Sequence, residues 1–217
     1  MSTADTLVLA WHGSRNPAAA ERIARVAAQV ADLLPGVRIH TAWVDIEPVL
    51  LAEMLPAVGD CTLVPCFLTA GYHVRHDVAD AAAASPHRVL VAPHLGGAFH
   101  RTLLDRVAEA GGPGDAVVLA AAGSALPEAQ DEVSAVAARL AGALGVEVTV
   151  GNVYQSEPSV TDAVAAARAA GADDVLVLPY ALAPGLWGGR IEGLDVRLAA
   201  ALGGHDDVAA AIVRRHL

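Results

Sequence analysis

Short β-branched apolar runs alternate with amphipathic stretches along this chain, and the alternation runs its course twice. In the first pass, strands are expected at Thr6 to Trp11, Val37 to Val44, Cys61 to Phe67 and Arg88 to Ala92. Helices are expected at Pro17 to Leu34, Pro48 to Ala57 and Val74 to Ala84, with a last one reached through Gly96 and Gly97 and running to Ala110. Proline in the first helical turn, as at Pro17 and Pro48, suits both starts. Such strands, each followed by a helix, imply βαβ units and a mainly parallel sheet covered on both faces. Gly111, Gly112, Pro113 and Gly114 form the clearest linker. Beyond it the alternation restarts at Ala116 to Ala121, continues with strands at Val146 to Val150 and Asp174 to Pro179, and closes on a helix from Asp206 to Arg215. The expected fold is α/β with two similar lobes, residues 1–112 and 113–217, each a mainly parallel sheet flanked by helices.

The two passes are related by duplication. Gly13-Ser14 and Gly123-Ser124 each end a first strand 110 residues apart, and Glu47-Pro48 and Glu157-Pro158 keep the same offset. A third match, Val64-Pro65-Cys66-Phe67-Leu68-Thr69-Ala70-Gly71 against Leu178-Pro179-Tyr180-Ala181-Leu182-Ala183-Pro184-Gly185, is offset by 114, as a four-residue insertion would produce. Any one match arises easily in an alanine-rich chain; three in order, at equivalent places on the strand-helix framework, argue for a repeat. The informative positions are those where the copies differ. His12 faces Ala122, His73 faces Trp187, and seven of the nine histidines precede the linker.

Composition narrows the function classes. A content of 54% hydrophobic residues in 217 is ample for a packed core, yet the apolar runs fall far short of the ~20 residues that span a bilayer. The first residues carry no basic segment followed by a long apolar region, so no secretory signal is expected and a cytoplasmic location follows. A net charge of −10 argues against nucleic acid as a partner. All 14 basic residues are arginine, which excludes a lysine Schiff base, and no GxxxxGK[ST] phosphate loop is present, so no nucleotide is expected. Cys61 and Cys66, five apart in one expected strand, would point to opposite faces and lack the spacing of a zinc site; they are expected to be small buried hydrophobes rather than a disulfide.

In a parallel α/β sheet, ligands bind outside the carboxyl ends of the strands. His12 directly follows the first strand, His73 follows the third within a glycine-containing loop, and Asp45 and Glu47 follow the second. Two neutral imidazoles and a carboxylate, with coordination positions left open, suit a divalent ion such as iron, cobalt or nickel. A single histidine after a strand is more often a surface or capping residue. Two at equivalent strand ends, both lost from the other copy, weigh against that. Gly13-Ser14 before a helix is an alternative, an anion site built on backbone N–H groups.

The segments Trp11-His12-Gly13-Ser14-Arg15-Asn16-Pro17, Asp45-Ile46-Glu47-Pro48 and Pro65-Cys66-Phe67-Leu68-Thr69-Ala70-Gly71-Tyr72-His73-Val74-Arg75 resemble the sirohydrochlorin chelatases of the class II chelatase superfamily. The resemblance covers nearly the whole chain. It implies a chelatase-like fold and insertion of Fe2+ or Co2+, the metal being a substrate, into sirohydrochlorin on the routes to sirohaem or cobalamin. It also implies that His12 and His73 are the metal ligands and that Asp45, standing where many relatives have a glutamate, assists metal or proton handling, with Glu47 a near alternative. The shorter aspartate reaches about one carbon less far.

The implied substrate is a planar tetrapyrrole bearing eight carboxylates, held in a cleft between lobes. On an acidic chain the positive charge that meets it must be local. Ser14, Arg15, Arg75 and His76 flank the histidines, and Arg190 and Trp187 come from the second lobe, the indole able to stack on the macrocycle. His94 follows the fourth strand on the same edge and is a further candidate contact, ahead of His76 and His100. A fused second lobe removes the reason to dimerise, so a monomer is expected. Two alternatives stand beside this reading: a non-catalytic metal or tetrapyrrole carrier on the same scaffold, and an anion-binding or phosphoryl-transfer protein that uses Gly13-Ser14 and does not depend on His73.

Overall fold

The computed structural model describes residues 5–14, 16–46, 49–183 and 193–217. Thr6–Trp11 (β1) is buried along its whole length, the situation in which a strand shows an unbroken apolar run instead of an alternating one. It pairs in parallel with Arg38–Trp43 (β2) on one side and Cys61–Pro65 (β3) on the other, and β3 pairs with Val89–Val91 (β4), giving the order β2-β1-β3-β4. Val8 and Ala10 join a buried cluster with Leu51 and Leu55 of helix Leu51–Val58 (α2), Val78, and Ala81 of helix Ala79–Ala84 (α3). Leu7 and Leu9 alternate to the opposite face. Helix Pro17–Leu33 (α1) turns Ala19, Ile23, Val26 and Val30 inward at helical spacing. It starts where Asn16 caps it, its Oδ1 accepting from the Ala18 N–H at 3.0 Å, with Pro17 in the first turn.

The second sheet repeats this plan. Ala116–Ala121 (β5) is buried throughout and lies between Glu147–Asn152 (β6) and Val175–Pro179 (β7), with Arg197–Leu198 (β8) beyond, in the order β6-β5-β7-β8. Helix Pro127–Leu144 (α5) follows β5, and helix Val160–Ala169 (α6) is capped by Ser159, whose Oγ accepts from the Asp162 N–H at 3.1 Å. Ala163, Val164 and Ala167 of α6 pack with Val118, Ala120, Val175 and Val177.

Strand register confirms the duplication and the offsets of the first and third strands, while the second strands, Arg38 against Glu147, lie 109 apart, one less than the Glu47-Pro48 match. Ala10 pairs with Pro65 in the first sheet and Ala120 with Pro179 in the second, so the first strands differ by 110 and the third by 114. The edge strands β2 and β6 share one burial pattern, with Ala42 and Gly151 as the buried position of each.

The chain nevertheless does not divide in space where the repeat divides in sequence. One compact unit comprises Met1–Ala98 with Asp206–Leu217, the other Phe99–His205. Helix His100–Glu109 (α4), though it precedes the glycine linker, packs with α5 and β7. The last helix, Asp207–His216 (α7), packs with α1 and β3. The lobes expected as 1–112 and 113–217 have thus exchanged their last helices, an arrangement that periodicity cannot reveal because each helix keeps its place in the sequence.

The linker lies inside the second unit, tied down by Arg197. Its Nε and Nη2 donate to the Asp174 carboxylate at 2.7 and 2.8 Å, and its Nη1 donates to the carbonyls of Ala110 and Gly112 at 2.5 and 3.0 Å. The Arg197 hydrogen bond holds Asp174 below the usual carboxylate range. Sequence reading missed β8 altogether, since two residues are too few to leave a periodic trace. The second helix, expected from Pro48, begins at Leu51, with Glu47 and Pro48 outside the described residues. Cys61 and Cys66 are free and buried, as expected, and burial pushes the Cys66 thiol well above its ordinary pKa. Among the described residues, no helix is long and apolar enough to cross a membrane.

Candidate metal centre

The order β2-β1-β3-β4 makes β1 the strand from which the chain crosses first to one side and then to the other. At such a switch point the loops leaving two neighbouring strands diverge and open a crevice at their carboxyl ends. His12 leaves β1 and His73 follows β3, so neighbouring strands supply the two side chains. Each lies in a fixed backbone. After His12, Gly13 turns at a φ of 99°, which glycine adopts without cost, and Ser14 Oγ accepts from the Asn16 N–H at 3.1 Å, leading into the capped start of α1. Beyond β3, the Cys66 N–H continues the ladder to the Ala10 carbonyl at 2.8 Å, and the Phe67 carbonyl accepts from Leu95 at 2.9 Å. The chain then enters a π-helical turn, Val74–Val78, with His73 at its start.

The two imidazoles meet. Their centroids are 4.5 Å apart with planes at 87°. Phe67 lies nearly parallel to the His73 ring at 6.4 Å, and Tyr72 stands edge-on to it at 6.0 Å. His73 Nδ1 lies 2.5 Å from Asp77 Oδ2, and His12 Nδ1 lies 3.2 Å from the Gly13 carbonyl. A carbonyl and a carboxylate can only accept, so in both rings Nδ1 carries the hydrogen. That tautomer has its lone pair on Nε2, the form in which histidine ligates a metal. Among the described residues, no three His, Cys, Asp or Glu side chains gather as a metal cage; the candidate donor set is this pair, and two imidazoles could fit a mid-to-late first-row divalent ion.

The remaining candidates divide clearly. Asp45 is exposed and does not gather with the two imidazoles as a third donor: its backbone N–H donates to the His12 carbonyl at 3.1 Å, while its Oδ1 accepts from the Ile46 N–H at 2.7 Å. Ile46 has a φ of 71°, rare for a β-branched residue, so this rim turn is strained. Ser14 serves the turn described above, and Ser124 repeats the contact by accepting from the Leu126 N–H at 3.1 Å. Arg75 is exposed, with Nε donating to the Ala70 carbonyl at 3.1 Å. His76 faces Tyr72 at 4.4 Å. The Nδ1 of His94 accepts from the Gly96 N–H at 3.0 Å, so its lone pair is already engaged, the reverse of His12 and His73. His100 opens α4, in the other unit. Arg15, Glu47, Trp187 and Arg190 lie outside the described residues.

Sequence reading missed Asp77. Its signal was the four-residue spacing from His73, which would place the two side chains on one face only if the helix expected from Val74 began a residue earlier. Phe67 and Tyr72 stand out in the sequence only as members of the Pro65-to-Arg75 segment.

Among the described residues, the second unit keeps the frame but has no histidine at the place of His12. Val44 and Asp45 donate to the carbonyls of Trp11 and His12 at 2.9 and 3.1 Å; Val153 and Tyr154 donate to those of Ala121 and Ala122, both at 2.9 Å. Ala122 therefore stands where His12 does, and Tyr154 where Asp45 does.

A duplicated parallel α/β scaffold with paired histidines at the strand ends of one copy defines a class, and comparison with known proteins places the chain within it. A family model described as CbiX matches residues 6–110 and again residues 116–217. The chain belongs to the CbiX family of sirohydrochlorin chelatases, in two repeats. Among solved structures it resembles SirB from Bacillus subtilis with Fe3+, at 19% identity and a TM-score of 0.79 over 97% of this chain and 93% of that one. The sirohydrochlorin chelatase SirB from Bacillus subtilis subspecies spizizenii, in complex with cobalt, matches at 20% identity and a TM-score of 0.75 over 97% and 92%. CbiX, described as the terminal enzyme of sirohaem biosynthesis in denitrifying bacteria, matches at 21% identity and a TM-score of 0.75 over 97% and 96%. At these identities the likeness shows a shared fold. No curated protein sequence matches the chain.

Proposed function

We propose that this protein inserts a divalent metal, Fe2+ or Co2+, into sirohydrochlorin without a nucleotide, and that His12 and His73 hold the incoming ion. The observation that carries the reading is the pairing of the two imidazoles at 4.5 Å with both Nδ1 atoms tied back to oxygen acceptors. Family membership supplies the substrate class, and the SirB structures that hold Fe3+ or cobalt support iron or cobalt as the cargo.

Insertion requires the ion to shed part of its water shell and two pyrrole nitrogens to lose protons. Two histidine ligands leave coordination positions open to the pyrrole nitrogens. Asp45, exposed on the strand-end rim beside His12, is the carboxylate suited to accept a proton. Arg75, with Ser14, Arg15, Arg190 and Trp187, is proposed to meet the carboxylates and face of the macrocycle, since a guanidinium fork suits carboxylates.

The test is anaerobic incubation with sirohydrochlorin and Co2+ or Fe2+, followed by absorbance. Wild type is expected to form the metallated product well above the uncatalysed rate, and His12→Ala to lose most of that acceleration. Equal rates for the two proteins would end the proposal, while tight metal binding without acceleration would leave a carrier.

A further inference from the structure

We propose that Asp77 is the positioning residue for His73, fixing the tautomer and rotation of that ring so that Nε2 is presented to the metal. The inference rests on the reading of His73 as a ligand and adds a residue to it. His12 and His73 are tied through the same ring nitrogen but to different partners. His12 Nδ1 meets a neutral backbone carbonyl at 3.2 Å, next to it in the chain, whereas His73 Nδ1 meets a side-chain carboxylate at 2.5 Å. A hydrogen bond to an ionised acceptor is shorter and stronger than one to a neutral acceptor. A carboxylate behind a metal-binding imidazole also makes the far nitrogen a better donor.

The local fold provides this partner. His73 stands at the start of the π-helical turn Val74–Val78, and Asp77 projects from the same turn one step later. Both side chains are about one-third exposed, at 33% and 39%, so the pair sits at the surface of the site rather than in the core. Phe67 and Tyr72 limit the ring from its face and from its edge. Aromatic neighbours restrict where the ring lies but cannot choose which nitrogen carries the hydrogen. Only the acceptor does that, and for His73 it is Asp77.

The experiment titrates Co2+ alone into the full-length protein, reading both affinity and the visible ligand-field spectrum of the bound ion, with thermal melting in parallel. Asp77→Leu removes the acceptor and is expected to weaken Co2+ binding roughly 10–100-fold and to alter the spectrum. Asp77→Asn keeps an oxygen that can accept from Nδ1 but loses the charge, and is expected to bind Co2+ more tightly than Asp77→Leu and less tightly than wild type, with the wild-type spectrum. A change in melting temperature alone, with affinity and spectrum intact in Asp77→Leu, would make the pair merely structural and overturn the proposal. Equal weakening in both variants would also overturn it, because the retained oxygen would then have rescued nothing. His73→Ala separates this inference from the one beneath it. If His73→Ala binds like wild type, the metal site itself is wrong; if it loses Co2+ while Asp77→Leu does not, only the positioning role fails.

Discussion

The imidazoles of His12 and His73, carried by loops that leave neighbouring strands, stand perpendicular at 4.5 Å. Neither ring has a second histidine at the matching position of the other repeat, Ala122 and Trp187 standing there instead. The pair therefore forms one candidate site in a duplicated chain. Replacing either by alanine is expected to weaken Co2+ binding at least about 100-fold, more than the roughly 10–100-fold lost with a second-layer partner. His94→Ala, whose Nδ1 lone pair is spent on the Gly96 N–H, is expected to bind within a few-fold of wild type. Equilibrium dialysis with cobalt checks all three, and a His94→Ala loss as deep as that of His12→Ala would redraw the site.

Much of this arrangement was legible in the sequence because it rests on period and spacing. Buried parallel strands leave unbroken apolar runs, as in β1 and β5, and a repeat leaves offsets that the strand register then reproduces for the first and third strands. The histidines could be placed because a residue right after a strand has little freedom to be elsewhere. What stayed hidden depends on three-dimensional choice. The exchange of α4 and α7 between units alters no periodicity. The two-residue strand β8 is held by Arg197 rather than by its own pattern. Asp77 reads as an ordinary helix-surface carboxylate until the π turn brings it against His73. Charge and position single out Arg75 and Ser14 in the sequence, but not the backbone contact each makes, to the Ala70 carbonyl and from the Asn16 N–H.

Gly123 shows how closely the repeat loops are packed. It has a φ of +90°, and a Cβ there would lie 1.9 Å from the Tyr154 carbonyl oxygen, a backbone atom that cannot swing aside. Gly123→Ala carries both left-handed strain and overpacking, each costing about 1–3 kcal/mol. Gly36, at a φ of +94° with nothing within 4 Å, carries the strain alone. In urea unfolding, Gly123→Ala is expected to lose clearly more stability than Gly36→Ala. Equal losses would mean that the close approach relaxes freely.

Arg197 is expected to matter for stability in a pH-dependent way. Its hydrogen bond lowers the pKa of Asp174 in the folded state, so the contribution is present above the unfolded carboxylate value of about 3.9 and fades as pH falls through the folded one. Arg197→Ala should lower the urea midpoint at pH 7, with the gap from wild type narrowing below about pH 4. The pair is exposed, so added salt should narrow the gap at pH 7 as well. A gap that holds constant across both pH and salt would leave the carbonyl contacts to Ala110 and Gly112 as the whole effect.

His216, at the end of α7, gives the opposite pH dependence in origin though not in direction. It is 4% exposed, its Nδ1 has no hydrogen-bond partner among the described residues, and burial lowers its pKa from the ordinary value near 6.5. Above that value both folded and unfolded chains hold it neutral, and it imposes no pH dependence. As pH falls below about 6.5 the unfolded chain takes up a proton that the folded one resists, so stability declines until the folded pKa is passed. His216→Phe keeps a planar ring in the buried site and removes the titration. The urea midpoint of wild type should therefore fall more steeply than that of His216→Phe between pH 7 and pH 5, while the two run parallel above pH 7. Because the other eight histidines are common to both proteins, the difference between the two curves isolates this residue. Parallel curves over the whole range would show that His216 is hydrated in solution.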